Sequence, residues 1–193
     1  MQPTLETRRL VVRPLMAKDD LSVRELANDL RIAALSIWPM QGYGRTMCRR
    51  WIAGTHEGWV EGTRAEFVLE LKSGGEVVGL AGLDRREAGP AAAELAFLLK
   101  VGFWGQGYGT EAAEAVVDFG FKRLKLNRIY ARHLASNTAS GRVLAKLDMR
   151  QEGVLREFAV RGNGFEDAVL VSLLRREWDG KGKSRSARET TDD

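Results

Sequence analysis

The stretch from Glu94 to Val117 constrains this chain more than any other. Glu94-Leu-Ala-Phe-Leu-Leu99 is an apolar run of strand length, Gly102-Phe-Trp-Gly-Gln-Gly-Tyr-Gly-Thr110 is crowded with glycine, and Glu111-Ala-Ala-Glu-Ala-Val-Val117 follows as a helix. A strand, a glycine-rich turn and a helix thus come in direct succession. Glycine lets a backbone approach a ligand closely. A helix N-terminus presents unpaired N–H groups and the positive end of its dipole. Together they make a seat for a diphosphate.

Two better-known phosphate motifs are excluded. A P-loop needs Gly-Lys-Ser/Thr at its end, and the chain has none. A dinucleotide fingerprint needs a third glycine where Thr110 stands, and the next strand lacks the acidic residue expected about twenty positions on.

With 193 residues, 44% hydrophobic and 29% charged, the chain has the size and composition of one well-buried domain. Its apolar runs are too short for a membrane span, and Arg8-Arg9 is not followed by the apolar region of a signal peptide. The single cysteine, Cys48, has no intrachain partner, which fits a reducing compartment and a cytoplasmic location; it reads as a half-buried helix residue. The net charge of +4 is spread over the chain without a zinc-finger or RNA-binding pattern, so direct nucleic-acid binding is not expected.

Periodicity gives strands at Leu10–Pro14, Phe67–Leu71, Val77–Leu83, Ala93–Leu99, Ile129–Ala135, Gly153–Val160 and Ala168–Leu174. Helices are expected from Asp19 or Asp20 to Leu35 with Leu21, Leu26, Leu30 and Ala34 inward, over Thr46–Val60, after the glycine turn to about Leu124, and from Ser136 or Asn137 to about Asp148. One domain is expected over residues 1–178. Beyond Trp178 the chain is Gly-, Ser- and charge-rich, so 179–193 reads as a disordered tail.

Three ordered blocks resemble the GNAT acyl-CoA-dependent N-acetyltransferases, and within them the RimJ/RimL group that acetylates protein N-termini. They are Glu6-Thr7-Arg8-Arg9-Leu10 with Arg13-Pro14-Leu15; Trp104-Gly-Gln-Gly-Tyr-Gly-Thr-Glu-Ala112; and Asn137-Thr-Ala-Ser140 with Arg142-Val143-Leu144 and Lys146-Leu147. The likeness covers about residues 5–178. It implies an α/β (α+β) fold, a mixed and mostly antiparallel sheet flanked by helices and splayed between its fourth and fifth strands. It implies acetyl-CoA as co-substrate, no metal, and an amine acceptor such as a ribosomal-protein N-terminus, attacked directly in a ternary complex. A small-molecule amine is the alternative acceptor, and a non-catalytic acyl-CoA-binding module the competing class. A monomer or homodimer away from membranes is expected.

The resemblance also distributes roles. The backbones of Phe97, Leu98 and Leu99 would pair with the pantetheine arm, and Gly105, Gln106, Gly107, Tyr108, Gly109 and Thr110 would supply amides to the pyrophosphate. Trp104 departs from the family's usual Gln or Arg. Asn137 would bond the pantetheine arm, and equally fits a helix N-cap. Glu94 would accept the amine's proton, directly or through water. Ser140 would serve the leaving sulfur, because Leu144 occupies the place of the tyrosine acid found in many members. His133 is a weaker candidate base. Trp38 and Tyr43 are the candidate acceptor contacts.

Overall fold

The computed structural model describes residues 1–37, 42–89 and 91–179. Eight strands form one sheet: β1 (Leu5–Glu6), β2 (Leu10–Pro14), β3 (Arg64–Leu71), β4 (Val77–Asp84), β5 (Ala92–Leu99), β6 (Arg128–Leu134), β7 (Arg150–Arg161) and β8 (Gly164–Leu174). Their spatial order is β1-β2-β3-β4-β5-β6-β8-β7. Every neighbouring pair is antiparallel except β5 and β6, which run parallel and pair only at Ala92–Arg128, Ala93–Ile129 and Glu94–Tyr130. Past Glu94 the two strands separate. This is the splay expected between the fourth and fifth strands; the two-residue β1 shifts the count by one.

Helices cover both faces. α4 (Tyr108–Lys122) and α5 (Thr138–Lys146) lie on one, over a core that includes Phe67, Leu83, Leu95, Val116, Phe121 and Ile129. α1 (Asp20–Asn28), α2 (Leu30–Ala33) and α3 (Arg45–Val60) belong to the other, where Leu15, Val23, Leu26, Cys48, Ile52, Val68 and Leu80 pack together. Phe67 is fully buried and meets Phe119 edge-on at 5.5 Å between ring centroids. Truncating such a ring to alanine costs about 3–5 kcal/mol.

Two expectations need correction. The single helix to Leu35 is broken at Asp29, whose extended backbone (φ −73°, ψ 114°) ends α1 while its side chain caps α2 at the Arg31 amide. Leu26 faces the core as expected, but Leu21, at 53% exposure, does not, and Val23 and Ala27 join Leu26 there. Beyond the break the phase changes, so Leu30 (69%) and Ala34 are exposed and Ile32 and Ala33 are buried. Cys48 is fully rather than half buried. The expected tail lies outside the described residues except for Asp179, which closes a helical turn over 175–179.

Candidate active site

The splay exposes one edge of β5 in the middle of the sheet. Lys100 donates its amide to Val78 at 2.8 Å, and the register continues that pairing through Leu80–Leu98, Gly82–Ala96 and Asp84–Glu94. Alternation in an antiparallel ladder then turns the backbone groups of Leu95, Phe97 and Leu99 the other way, toward the gap left by β6. The Leu99 carbonyl takes the Trp104 indole N–H at 2.9 Å. Leu98, expected to pair beside Phe97 and Leu99, has its backbone turned to β4. A cleft of about 530 Å³ fills the gap, lined by β5, the glycine turn, β6 and α5.

The glycine turn closes one end of this cleft. Gly105 and Gly107 have φ of +73° and +83°, a left-handed conformation that glycine adopts without strain. Gly107 is the N-cap of α4, and the first amide returned to the helix is that of Glu111, bonded to the Gly107 carbonyl. The amides of Tyr108, Gly109 and Thr110 therefore have no partner within the helix. Gly105, Gly107, Gly109 and Thr110 line the cleft. Gln106 and Tyr108 serve the turn in another way. The Gln106 side chain donates to the Gly102 carbonyl, and the Tyr108 ring lies 4.1 Å beneath the Arg9 guanidinium.

Arg9 is a site residue that sequence reasoning did not single out. Its guanidinium bonds Glu111 at 2.7 Å and the Gln106 carbonyl at 2.9 Å, while its amide also donates to Glu111. A carboxylate in the first turn of α4 would repel a bound phosphate; Arg9 neutralises it and brings cationic nitrogen beside the turn. Burial alone would raise the Glu111 carboxyl, but hydrogen bonds from Thr7 and Arg9 outweigh it and hold it below the ordinary glutamate value. The adjacent Arg8-Arg9 pair and the first-turn glutamate were the available signal.

On the opposite wall, Asn137 caps α5 by accepting from the Ser140 amide at 3.0 Å, and its Nδ2 donates to the Leu35 carbonyl at 3.0 Å. The amide nitrogen carries a second N–H, which is available for a cofactor contact without loss of the Leu35 bond. Ser140 lines the cleft, and its hydroxyl has no hydrogen-bond partner among the described residues. Leu144 is 1% exposed, in the core behind the cleft. His133 lines the cleft as well; its Nδ1 lies 2.8 Å from the Leu134 carbonyl and its ring packs on Gly141.

A second cleft, of about 390 Å³, opens on the α1–α3 face of the same strand. Tyr43 and Trp51 wall it, and its floor includes Glu66, Ala96 and Leu98. Tyr43 is thus brought to the site, while Trp38 lies outside the described residues. Glu94, Ala96 and Leu98 line both clefts. Ala96 is exposed although it stands mid-strand, so the sheet is thin where the clefts meet. Glu94 holds Arg132 in a two-pronged pair at 2.8 and 2.5 Å, and that pairing raises the arginine further. Among the described residues, no three His, Cys, Asp or Glu side chains converge as metal ligands.

This arrangement, a glycine turn with open helix amides at one end of a wedge and a second cleft meeting it across β5, is the form expected of an acyl-CoA-dependent transferase. The acetyltransferase (GNAT) domain model matches residues 9–150, and the chain belongs to this family. It is 30% identical to the uncharacterized N-acetyltransferase p20 of Bacillus licheniformis, over 92% of this chain and 99% of that protein. It is 26% identical to the [ribosomal protein uS5]-alanine N-acetyltransferase of Escherichia coli, over 53% of this chain and 54% of that enzyme. Among solved structures it resembles Mycobacterium smegmatis RimJ in complex with CoA-disulfide, with a TM-score of 0.80 and 25% identity over 91% of this chain and 89% of that one. The chain is therefore a GNAT-fold acetyltransferase that uses acetyl-CoA and acts on an amine.

Proposed function

We propose that this protein acetylates the N-terminal α-amine of a polypeptide, with a ribosomal protein as the acceptor class, by direct attack of the amine on acetyl-CoA. The observation that carries the reading is the meeting of two clefts at Glu94, Ala96 and Leu98. Cofactor and acceptor can be held at once, from opposite faces of β5, and no acyl-enzyme is needed. The likeness to RimJ and to the uS5-alanine enzyme supports a protein acceptor. An aromatic-walled cleft formed partly by loops suits a chain end.

In this reading the open amides of Phe97 and Leu99 hold the pantetheine arm and polarise the thioester carbonyl, and the amides of Gly105 to Thr110 hold the pyrophosphate. Asn137 fixes the start of α5 and meets the cofactor there. A peptide α-amine has a reference pKa of about 7.7–8.0, so much of it arrives protonated at neutral pH. Glu94 is the carboxylate that lines both clefts, and it takes that proton through a water molecule while Arg132 fixes its orientation. Nitrogen attacks the thioester carbon, the carbon–sulfur bond breaks, and the Ser140 hydroxyl meets the departing sulfur. The reducing cytoplasm is the expected place of action.

A panel of N-terminal peptides set against free amino acids, polyamines and antibiotic amines, followed by release of free CoA, tests the acceptor. Turnover confined to small amines would overturn the protein-acceptor reading.

A further inference from the structure

We propose that Glu66 is the seat of the acceptor's charged amine: its carboxylate receives the ammonium group and makes the acceptor cleft selective for cations. This deepens the amine-acceptor reading and rests on it.

The argument begins with Gly82. A side chain there would place its Cβ 2.1 Å from Glu66 Oε2 and 2.6 Å from Glu66 Cδ, so the Glu66 carboxyl occupies the space that Gly82 leaves empty. Glu66 of β3 is opposed to Gly82 of β4, which is opposed to Ala96 of β5. The glutamate lies across one strand toward the next, and the next residue in the row is the exposed alanine where the two clefts join. Neighbouring strands are about 4.8 Å apart, so the carboxylate ends roughly one strand short of that junction.

Glu66 also differs from Asp84 and Glu94, its half-buried acidic neighbours, and from Glu87, which is exposed. Asp84 pairs with Arg86 at 2.5 Å and with Arg64 at 3.6 Å, and Glu94 pairs with Arg132. The Glu66 carboxylate accepts no hydrogen bond and stands in no ion pair among the described residues. Burial pushes it up from the ordinary glutamate value; Arg64 and Arg86 act against that shift and Asp84 adds to it. Among the described residues, the remaining ionisable groups lining the cleft are Glu87, Glu94, Tyr43 and Tyr130, while α1 and α3 contribute Val23, Ala27 and Trp51. Among the described residues, Arg64 and Arg86 are engaged by Asp84 and Arg132 by Glu94, so Glu66 is left as a half-buried acid without a counter-ion at the floor of this cleft. An incoming ammonium relieves the cost of that unpaired charge, and a neutral group does not.

The test compares the parent, Glu66→Gln and Glu66→Asp on the best acceptor from the peptide and small-amine panel. Thermal shift with acetyl-CoA confirms that each variant is folded and binds cofactor. Glu66→Gln should raise acceptor KM roughly 10- to 100-fold, the range for a lost charge-assisted bond, with kcat much less changed. Glu66→Asp, which keeps the charge but withdraws it by one carbon, should fall between. In the parent, acceptor KM should rise as pH passes the acceptor's own pKa and its charge is lost; in Glu66→Gln that rise should vanish. An unchanged KM, or an unchanged pH dependence of KM, would overturn the proposal.

If only small amines turn over, the N-terminal reading fails while Glu66 is still tested on those amines. If nothing turns over, glycinamide is titrated into the complex with acetonyl-CoA, a thioether that cannot transfer, and binding is read by calorimetry. Weaker binding to Glu66→Gln supports the seat; equal binding, or none to the parent, overturns it.

Discussion

The two clefts share Glu94, Ala96 and Leu98 but are made of different material. The cleft that we assign to the cofactor is built from backbone: unpaired amides along β5 and unpaired amides at the start of α4, with glycines keeping side chains out of the way. The cleft that we assign to the acceptor is built from side chains, with carboxylates and guanidiniums on β3 to β5 and aromatics from α3 and the segment before it. A backbone site recognises what every acyl-CoA has in common. A side-chain site can change its preference by single substitutions while the cofactor side stays as it is. The two glutamates mark the same division, since Glu94 stands at the junction and Glu66 one strand away from it.

If that division holds, damage on one side should leave the other intact. The largest effect is expected at the junction. Glu94→Gln should lower kcat by roughly 10²–10⁴-fold, the range for losing a general base, with acetyl-CoA affinity nearly kept. The loss should shrink at high pH, where the amine is already neutral. A loss of the same size at every pH would mean that Glu94 only holds Arg132 in place.

Gly107→Val should abolish cofactor binding without touching the acceptor cleft. It forces a β-branched residue into φ +83° and sets its Cβ 3.3 Å from the Arg9 guanidinium. In the parent, acetyl-CoA at 100 times its Kd should add about 2.7 kcal/mol of stability; in a folded variant, thermal shift should show almost none. A full shift would remove the turn from the cofactor side.

A smaller effect is expected from Ser140→Ala, about tenfold to a hundredfold in the single-turnover rate, as befits one hydrogen bond. Acetyl-CoA binding should persist. Equal rates in variant and parent would leave water as the donor to sulfur.

The mildest test concerns the Arg9–Glu111 clamp. Because the folded-state pKa of Glu111 is lowered, its contribution is fully present above the unfolded value and fades as pH falls below the ordinary 4.5 toward the lowered one. Urea unfolding of the parent and Glu111→Gln should therefore differ at neutral pH and converge as the solution is acidified. A gap that stays constant into acid would show that the carboxylate's charge is not what the clamp uses.

The same division explains what was legible in the chain. Phe97, Leu99 and the glycines Gly105, Gly107 and Gly109, which the structure brings to one cleft, would act through backbone, and a glycine-rich turn between a strand and a helix announces itself locally. The mostly antiparallel sheet and its splay followed from the resemblance, and the structure agrees with both. Glu66 was out of reach. Its meaning depends on Gly82 lying opposite it and on Asp84 and Glu94 having taken the nearby arginines, and both are facts of register rather than of spacing. Arg9 was hidden in the same way, 102 positions from the Glu111 it holds. The Asp29 break in the first helix was missed because a capping aspartate two residues before Arg31 resembles an ordinary acidic helix position.

The open edge of β5 has one more consequence. A strand edge left without a partner is a general invitation to another chain, and natural proteins usually blunt it. Here the edge lies inside the sheet, and β6 is still bonded to β5 at Ala92, Ala93 and Glu94. The gap is therefore a wedge, closed at one end. Another polypeptide strand would need a full strand spacing on each side, about 4.8 Å, along its whole length. A thin, unbranched arm needs less. The geometry of the splay thus favours, along these amides, a ligand slimmer than a peptide over a strand from another chain.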